Sequence, residues 1–192
     1  MDRDEIMAVF EERKALLDGH FELRSGLHSA KYCQVALLQQ DPRLLERLCA
    51  ELIEKMRAAL GSKIEVDTVI APAMGGITIG HEIARQLGTR YIFAEKEEGK
   101  LVLRRNQTIA AGETFLIAED VVTRGGRVQE TCDIVRNAGG ILNGIGVLFD
   151  RSGGNADFNA PFISLLQMTP VVWNPDECPL CREGVPLEHP GS

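Results

Sequence analysis

Short apolar segments alternate with helix-length amphipathic segments between residues 68 and 166, and this alternation restricts the fold more than any other feature. The periodicity predicts helices over 77–87 and 127–138, and predicts strands over 68–71, 91–94, 115–118, 141–149 and 162–166. Strands that are apolar throughout are typical of a parallel sheet covered by helices on both faces. The sequence therefore predicts an α/β fold with a central parallel sheet flanked by helices.

The first 60 residues predict smaller elements. Apolar residues at helical spacing indicate a helix over 3–17, and two strand-like pieces lie around Ser25-Gly26. A second helix should follow Asp41-Pro42, since Asp caps helices and Pro suits their first position. A chain of 192 residues fits one domain, so residues 1–192 are predicted to form a single domain.

Composition and charge exclude several classes of protein. The net charge of -7 argues against nucleic-acid binding, and no apolar run approaches the roughly 20 residues that span a bilayer. We therefore expect no nucleic-acid partner, no membrane association and a cytoplasmic location. Five scattered cysteines without an export signal favour free thiols over a disulfide framework.

The predicted strand 115–118 is followed by Glu119-Asp120, then Thr123 and the pair Gly125-Gly126 at the start of a helix. Glycines at a helix N-terminus allow backbone N–H groups to converge on an anion such as a phosphate. Adjacent carboxylates suit ribose hydroxyls or Mg²⁺. The P-loop and dinucleotide-binding glycine patterns are absent. The segment therefore predicts a site for a sugar phosphate.

Two further strand ends carry polar groups that should meet this site, because carboxyl ends of parallel strands share one edge. The loop Pro72–Gly76 offers backbone N–H groups after the strand 68–71. Arg151 follows the strand 141–149, where its guanidinium can hold a carboxylate through two hydrogen bonds.

The stretch FLIAEDVVTRGGR resembles the signature of type I phosphoribosyltransferases. The resemblance implies that the acidic pair holds the ribose hydroxyls of phosphoribosyl pyrophosphate (PRPP), that the following loop holds its 5-phosphate, and that Mg²⁺ is the cofactor. Pro72–Gly76 resembles the family's pyrophosphate loop. The PRPP-binding residues implied in the signature are Glu119, Asp120, Val121, Val122, Thr123, Arg124, Gly125, Gly126 and Arg127.

The N-terminal segment HFELRSGLHSAKY is similar to the start of orotate phosphoribosyltransferases, where it forms a hood over the site; we assign residues 1–40 to that hood. The resemblance implies transfer of the phosphoribosyl group to orotate, giving orotidine 5'-phosphate and pyrophosphate in pyrimidine synthesis. It places Arg24 at pyrophosphate or orotate and Tyr32 near the base. It also places Thr123 and Arg151 at orotate, with Arg151 on the orotate carboxylate.

Residues 95–114 are mostly charged or polar and are long for a connection between two core strands, which is typical of a lid. The segment resembles the family's flexible loop, whose basic residues reach the neighbouring subunit's site in a homodimer. Lys96 and Lys100 are the predicted catalytic cations, with Arg104 and Arg105 next. Glu95 stands where the family's loop opens with Arg, and the segment contains no His.

Cys178-Pro-Leu-Cys181 has the spacing of half a zinc site. The sequence offers no second ligand pair nearby, and His189 stands alone in the tail. We therefore expect no required zinc, while ligands pooled by two subunits stay open. His81, in a predicted helix, is interpreted as structural.

Two alternatives to orotate transfer stay open. A purine or other base phosphoribosyltransferase shares the segment from Glu119 to Arg127 but not the segment from Arg24 to Tyr32. A non-catalytic regulator of the same fold senses PRPP but needs a nucleic-acid-binding surface, which the net charge does not favour.

Overall fold

The computed structural model describes residues 1–23, 25–169 and 171–190. Within this part of the chain, no helix is both long enough and apolar enough to cross a membrane. The chain divides into two compact units, one formed by Met1–Leu38 with Thr169–Ser192, the other by Gln39–Met168.

The second unit contains a six-stranded sheet in the order β5-β4-β3-β6-β7-β8. All neighbouring strands are parallel except β4 and β5, which pair antiparallel. Its strands are β3 (Thr68–Pro72), β4 (Arg90–Glu97), β5 (Lys100–Leu103), β6 (Thr114–Val122), β7 (Ile141–Asp150) and β8 (Phe162–Gln167). Its helices are α2 (Pro42–Leu60), α3 (Gly76–Leu87) and α4 (Gly126–Asn137). The predicted α/β class, a central sheet flanked by helices, is confirmed.

Helices cover both faces of this sheet, which explains why its strands are apolar throughout. On one face, Ile145 and Val147 of β7 pack in a buried cluster with residues of α4. The intervening Gly146 points to the other face, where an added Cβ would lie 2.7 Å from the Met56 sulfur of α2. Asp41 caps α2 as predicted, since its Oδ1 accepts hydrogen bonds from the next two free backbone N–H groups.

The first unit contains helix α1 (Arg3–Glu12) and a three-stranded antiparallel sheet in the order β1-β2-β9. Its strands are β1 (Leu16–Glu22), β2 (His28–Cys33) and β9 (Val172–Trp173), and a four-residue helix α5 (Pro179–Arg182) follows them. The predicted helix over 3–17 was wrong at its C-terminal end. Lys14 has a φ of 55°, and Leu16 and Leu17 pair with β2 instead.

The predicted lid, residues 95–114, is partly regular structure rather than a loop. Glu97 pairs with Lys100 across a two-residue turn, so that β4 and β5 form a hairpin. Both turn residues have positive φ, 47° for Glu98 and 89° for Gly99, as a type I′ hairpin turn requires. The charged residues of this segment had predicted a loop, so the hairpin was not predicted.

Candidate active site

The polar strand ends meet at a topological switch point of the sheet. The chain leaves β3 through α3 to β4 on one side, whereas β6, β7 and β8 lie on the other side of β3. Ligands of open α/β sheets bind beyond the carboxyl ends of the strands at such a point. The carboxyl ends of β3 and β6 carry the loop Ala73–Gly75 and the segment from Glu119 to Gly125.

The acidic pair lies inside the last part of β6, not after the strand as predicted. Pairing with β7 continues through Val121 and Val122, which keeps this segment extended. Glu119 is buried, and its Oε1 accepts a hydrogen bond from the Asp120 N–H at 3.1 Å. Asp120 is half-buried, and its Oδ1 accepts from the Val121 N–H at 2.6 Å.

Burial, followed by the negative charge of Asp120, raises the pKa of Glu119 well above its ordinary value. The side chain of Tyr91 lies near this group, and burial together with the charge of Glu119 raises the Tyr91 pKa as well. A carboxyl group with this environment favours ligands that bring positive charge or hydrogen-bond donors.

The loop after β3 touches the acidic pair. A Cβ added to Gly75 would lie 2.1 Å from the Asp120 Oδ2, so only glycine fits while that carboxylate keeps its position. At Gly76 an added Cβ would lie 3.1 Å from the Glu119 Oε1. Arg127 Nη1 donates to the Ala73 carbonyl at 3.4 Å, which brings a guanidinium beside the same loop. The Ala73–Met74 peptide bond is cis.

Two helix N-termini flank these carboxylates, since α3 begins at Gly76 and α4 begins at Gly126. Gly125 caps α4 with a φ of 78°, a conformation that glycine adopts without strain. Thr123 and Arg124 are exposed, and a depression of about 320 Å³ lies between Arg124–Gly126 and Asn155–Phe158. Free N–H groups and the helix dipole make such a terminus suited to a phosphate.

The structure also brings Arg151 to the end of β6. Its backbone N–H donates to the Val122 carbonyl at 2.8 Å, next to the pairing of Val122 with Asp150. Asp150 is buried and accepts a hydrogen bond from the Ser152 N–H at 2.8 Å. Within the described residues, Arg151 forms no ion pair with Asp150, so the half-buried guanidinium is not occupied by that carboxylate.

The cations of the β4–β5 hairpin differ in their partners. Arg105 forms two hydrogen bonds to Glu95, at 2.8 and 2.9 Å, and Arg104 lies 3.5 Å from Glu97. Among the described residues, exposed Lys96 and Lys100 have no such partner. Lys96 pairs with Leu101 and Lys100 pairs with Glu97, so the two lysines project from opposite faces of the hairpin.

Two predicted site residues belong to the first unit. Arg24 lies outside the described residues. Tyr32 is half-buried in β2, its ring centroid is 5.6 Å from that of Phe21, and its hydroxyl donates to Gln34 Oε1 at 3.2 Å. These contacts describe an aromatic residue with a satisfied hydroxyl.

One supporting residue had no signal in the sequence. Gln39 Nε2 donates to the Gly75 carbonyl at 3.1 Å, while its Oε1 accepts from the Thr78 hydroxyl at 2.8 Å. These bonds tie the loop after β3 to the start of α3. A glutamine between two predicted elements has no motif, so only its spatial neighbours reveal this role.

The geometry agrees with comparisons to known proteins. Residues 38–181 match the family described as "Phosphoribosyl transferase domain". The orotate phosphoribosyltransferase of Heliobacterium modesticaldum is 46% identical over 192 residues, which is 100% of this chain and 99% of the relative.

Solved structures share the fold. Orotate phosphoribosyltransferase from Aeropyrum pernix has a TM-score of 0.72 at 22% identity, covering 85% of this chain and 93% of its own. Adenine phosphoribosyltransferase from Rhodothermus marinus has a TM-score of 0.67 at 17% identity, covering 86% and 99%. The fold is thus common to enzymes named for different bases, and it is the full-length sequence identity that separates them. The chain belongs to the phosphoribosyltransferases and, within them, to the orotate phosphoribosyltransferase family.

Proposed function

We propose that this chain transfers the phosphoribosyl group of PRPP to orotate, giving orotidine 5'-phosphate and pyrophosphate in pyrimidine synthesis. The acidic pair at the switch point of the sheet supports phosphoribosyl transfer, and the sequence identity to full-length relatives is the observation that carries the choice of orotate. Glu119 and Asp120 lie against the loop Ala73–Gly75, and the N-termini of α3 and α4 flank them. The relatives at 43–47% identity over almost their full length are named for this reaction.

The acidic pair is suited to the ribose of PRPP. The 2- and 3-hydroxyl groups of the sugar donate hydrogen bonds, and carboxylates accept them strongly. Asp120 reaches the Gly75 loop, and buried Glu119 fixes the strand end through the Asp120 N–H. The two residues therefore orient the ribose and leave its C1 carbon open to attack.

The loop Thr123–Arg127 is proposed to hold the 5-phosphate. Its backbone turns into α4 through Gly125, and Thr123 adds a hydroxyl donor. The loop Ala73–Gly75 is proposed to bind pyrophosphate through backbone N–H groups, with the Arg127 guanidinium beside it. The two anionic ends of PRPP would then lie at two helix N-termini.

Mg²⁺ fits the donor set at this strand end. Carboxylate oxygens are the ligands that Mg²⁺ prefers, and a cation offsets the negative charge of Asp120, which after burial raises the pKa of Glu119. When bound with PRPP, Mg²⁺ supplies charge neutralisation for the leaving pyrophosphate. Asp120, the less buried of the two carboxylates, is the residue of this chain proposed to hold it, directly or through water.

The reaction displaces pyrophosphate from C1 by N1 of the orotate anion. Positive charge develops on the ribose while negative charge accumulates on pyrophosphate, so a cation at the leaving group stabilises the transition state. Lys100 and Lys96 are the proposed donors, because Arg104 and Arg105 are engaged by Glu97 and Glu95. We propose that the hairpin delivers a lysine and excludes water when it closes.

Arg151 is proposed to bind the orotate carboxylate, since its backbone lies at the end of β6 and, among the described residues, its guanidinium forms no ion pair with Asp150. From the resemblance alone, Arg24 and Tyr32 are also proposed to contact the substrates. The proposed cellular location is the cytoplasm.

The direct test incubates the purified chain with PRPP, Mg²⁺ and one base at a time. We expect the wild-type chain to consume orotate, seen as a fall in its absorbance, and we expect Asp120→Asn to consume none. Consumption of adenine or another purine with orotate untouched would favour the alternative base. PRPP binding measured by calorimetry without any turnover would favour a regulator that senses PRPP.

We further propose a homodimer in which the hairpin of one subunit serves the site of the other. The test mixes Asp120→Asn with Lys100→Ala, each inactive alone. If sites are shared, random exchange in an equal mixture makes about half of the dimers heterodimers. One of the two sites in each heterodimer then has both wild-type residues, so up to about one quarter of all sites regain activity. Two inactive variants that stay inactive after verified subunit exchange would refute the sharing.

A further inference from the structure

Four side chains that are distant in sequence converge in the first unit. His20 lies in β1, His28 in β2, Cys178 immediately before α5 and Cys181 within α5. One ligand atom from each lies within 4.8 Å of all the others. The expectation of no zinc had rested on the lack of a second ligand pair, and that premise was wrong: His20 and His28 supply the pair from the other end of the chain.

Four of the six distances between these atoms are close to the edges of a zinc tetrahedron, and the other two are no longer than 4.8 Å. His20 Nε2 lies 3.0 Å from His28 Nδ1, and the nitrogen–sulfur distances are 3.4 Å (Cys178 to His20), 3.7 Å (Cys181 to His20) and 3.3 Å (Cys181 to His28). Zinc bonds of about 2.05 Å to nitrogen and 2.3 Å to sulfur give tetrahedral edges of about 3.3 Å between nitrogens and about 3.6 Å between nitrogen and sulfur. One ion can therefore bind all four atoms after side-chain shifts of about 1 Å at most.

The hydrogen bond on the far side of His20 prepares this ring for a metal. His20 Nδ1 lies 2.8 Å from the Val185 carbonyl oxygen, and because a carbonyl only accepts, Nδ1 carries the proton. Nε2 of the neutral ring then has a lone pair that points into the cluster. Outer hydrogen bonds of this kind fix the tautomer and orientation of metal-binding histidines.

Burial favours a closed structural site. His20, His28 and Cys178 are buried, and only Cys181 is exposed. Four protein ligands complete a tetrahedron and leave no position for a substrate or water, which distinguishes structural from catalytic zinc. Two thiolates with two imidazoles select zinc over hard cations such as Mg²⁺.

The ion would add a connection between segments that already meet through hydrogen bonds. The strand β9 contains only two residues, and the tail after it meets β1 through the backbone pairs Glu22 to Glu188 and Glu188 to His20, at 2.9 and 2.8 Å. Small units with limited cores commonly need a metal or disulfide for stability. A zinc ion would bind both strands of the β1–β2 hairpin and the C-terminal tail at one point.

We propose that His20, His28, Cys178 and Cys181 bind one structural Zn²⁺ that holds the C-terminal tail on the β1–β2 hairpin. The neighbouring His189 is not part of the site, since its Nδ1 lies 3.3 Å from Glu22 Oε2. The proposal concerns the first unit and does not depend on which base the chain uses.

Metal content tests the proposal on the whole chain. Protein produced with added zinc and desalted should contain about one zinc per chain by mass spectrometry. Cys181→Ser changes the exposed ligand with least effect on packing, and it should weaken zinc binding by more than about tenfold, because even partners outside the ligand sphere contribute about 10- to 100-fold. Cys33→Ser, a cysteine of the same unit outside the cluster, is the matched control and should keep its zinc.

Cobalt gives a readout that does not depend on the variants. Adding Co²⁺ to metal-free wild-type protein should produce a thiolate-to-cobalt charge-transfer band and the strong visible bands of a tetrahedral ion, and Zn²⁺ should displace them. Chelation should lower the melting temperature of the wild-type chain by several degrees and leave Cys181→Ser unchanged. Wild-type protein without zinc and without the cobalt spectrum, or a Cys178–Cys181 disulfide under reducing purification, would overturn the proposal. Equal zinc retention in Cys181→Ser and the wild type would also overturn it.

Discussion

Gly75→Ala tests whether contact between the pyrophosphate loop and the acidic pair governs catalysis. An added Cβ would lie 2.1 Å from Asp120 Oδ2 and 2.5 Å from its Cγ, whereas real Cβ contacts are essentially never below 3.0 Å. The carboxylate oxygen must therefore retreat by at least 0.9 Å, from 2.1 to 3.0 Å, or the loop must move by a similar distance. Movement of the carboxylate also strains the bond from the Val121 N–H to Asp120 Oδ1.

The size of the effect follows from this displacement. Overpacking a tight site costs about 1–3 kcal/mol, which corresponds to a fall in melting temperature of roughly 2–10 °C for a chain of this length. A displacement of about 1 Å in a group that positions substrate lowers the rate by up to about 100-fold. We expect kcat/KM for PRPP to fall by about 10- to 100-fold in protein that is still folded at the assay temperature.

Gly80→Ala is the matched control. Its added Cβ would lie 2.7 Å from Tyr91 Cε2 and 2.8 Å from the Ala71 Cβ, so it overpacks the same helix without meeting Asp120. We expect a comparable or smaller stability loss, since alanine regains about 1 kcal/mol within a helix, and kcat/KM within about threefold of the wild type. Steady-state kinetics at saturating orotate, with thermal melts of both variants, measure these effects. A folded Gly75→Ala enzyme with unchanged kcat/KM would refute the proposed role of Asp120.

Three further variants test the lid and the buried carboxylate. Lys100→Ala should lower kcat by about 100-fold with little change in KM, because a cation at the leaving group acts on the transition state. Steady-state kinetics measure this effect. If Lys96→Ala shows that pattern instead, Lys96 is the catalytic cation. Gly99→Ala places a side chain at a φ of 89°, so chemical denaturation should show a loss of about 1 kcal/mol, and an unchanged midpoint would contradict the observed turn. Because folding raises the pKa of Glu119, the contribution of this group to the free energy of unfolding is fully present below its ordinary pKa of 4.5. This contribution is lost as pH rises through the folded-state pKa. The melting temperature of Glu119→Gln should therefore be higher than that of the wild type at pH 8, and the two should converge near pH 4. A difference in melting temperature that does not change with pH would exclude the ionisation of Glu119 as its cause.

The parallel sheet was predictable because both of its faces are covered. Strands β3, β6 and β7 contain runs of apolar residues, and the helices between the strands have a clear helical period, so the order of these elements follows from the sequence pattern. The limits of the strands were less predictable. Strand β6 continues to Val122 because Val121 and Val122 pair with β7, and such pairing depends on residues almost thirty positions away.

The secondary structure of residues 95–103 was predicted wrongly for a related reason. Charged residues such as Glu95 and Lys96 predicted a loop, because edge strands and loops have similar compositions. The decisive features are the positive φ angles of Glu98 and Gly99 and the ion pair of Arg105, just after β5, with Glu95 of β4. These interactions are local in space but carry little hydrophobic signal. Because Arg104 and Arg105 are paired with glutamates, the two lysines are favoured as the proposed catalytic cations.

The two proposed sites differ in how the sequence encodes them. Residues Glu119 to Arg127 are contiguous, so the chemistry of a sugar-phosphate site is readable before any fold is known. The ligands of the proposed zinc site lie in two pairs separated by about 150 positions, and each pair alone resembles ordinary buried histidines or tail thiols. Antiparallel pairing of β2 with β9 brings these pairs together, because His28 lies opposite Trp173 only five residues before Cys178. Any variant that breaks this pairing should therefore also lower zinc affinity, although none of the four ligands has changed.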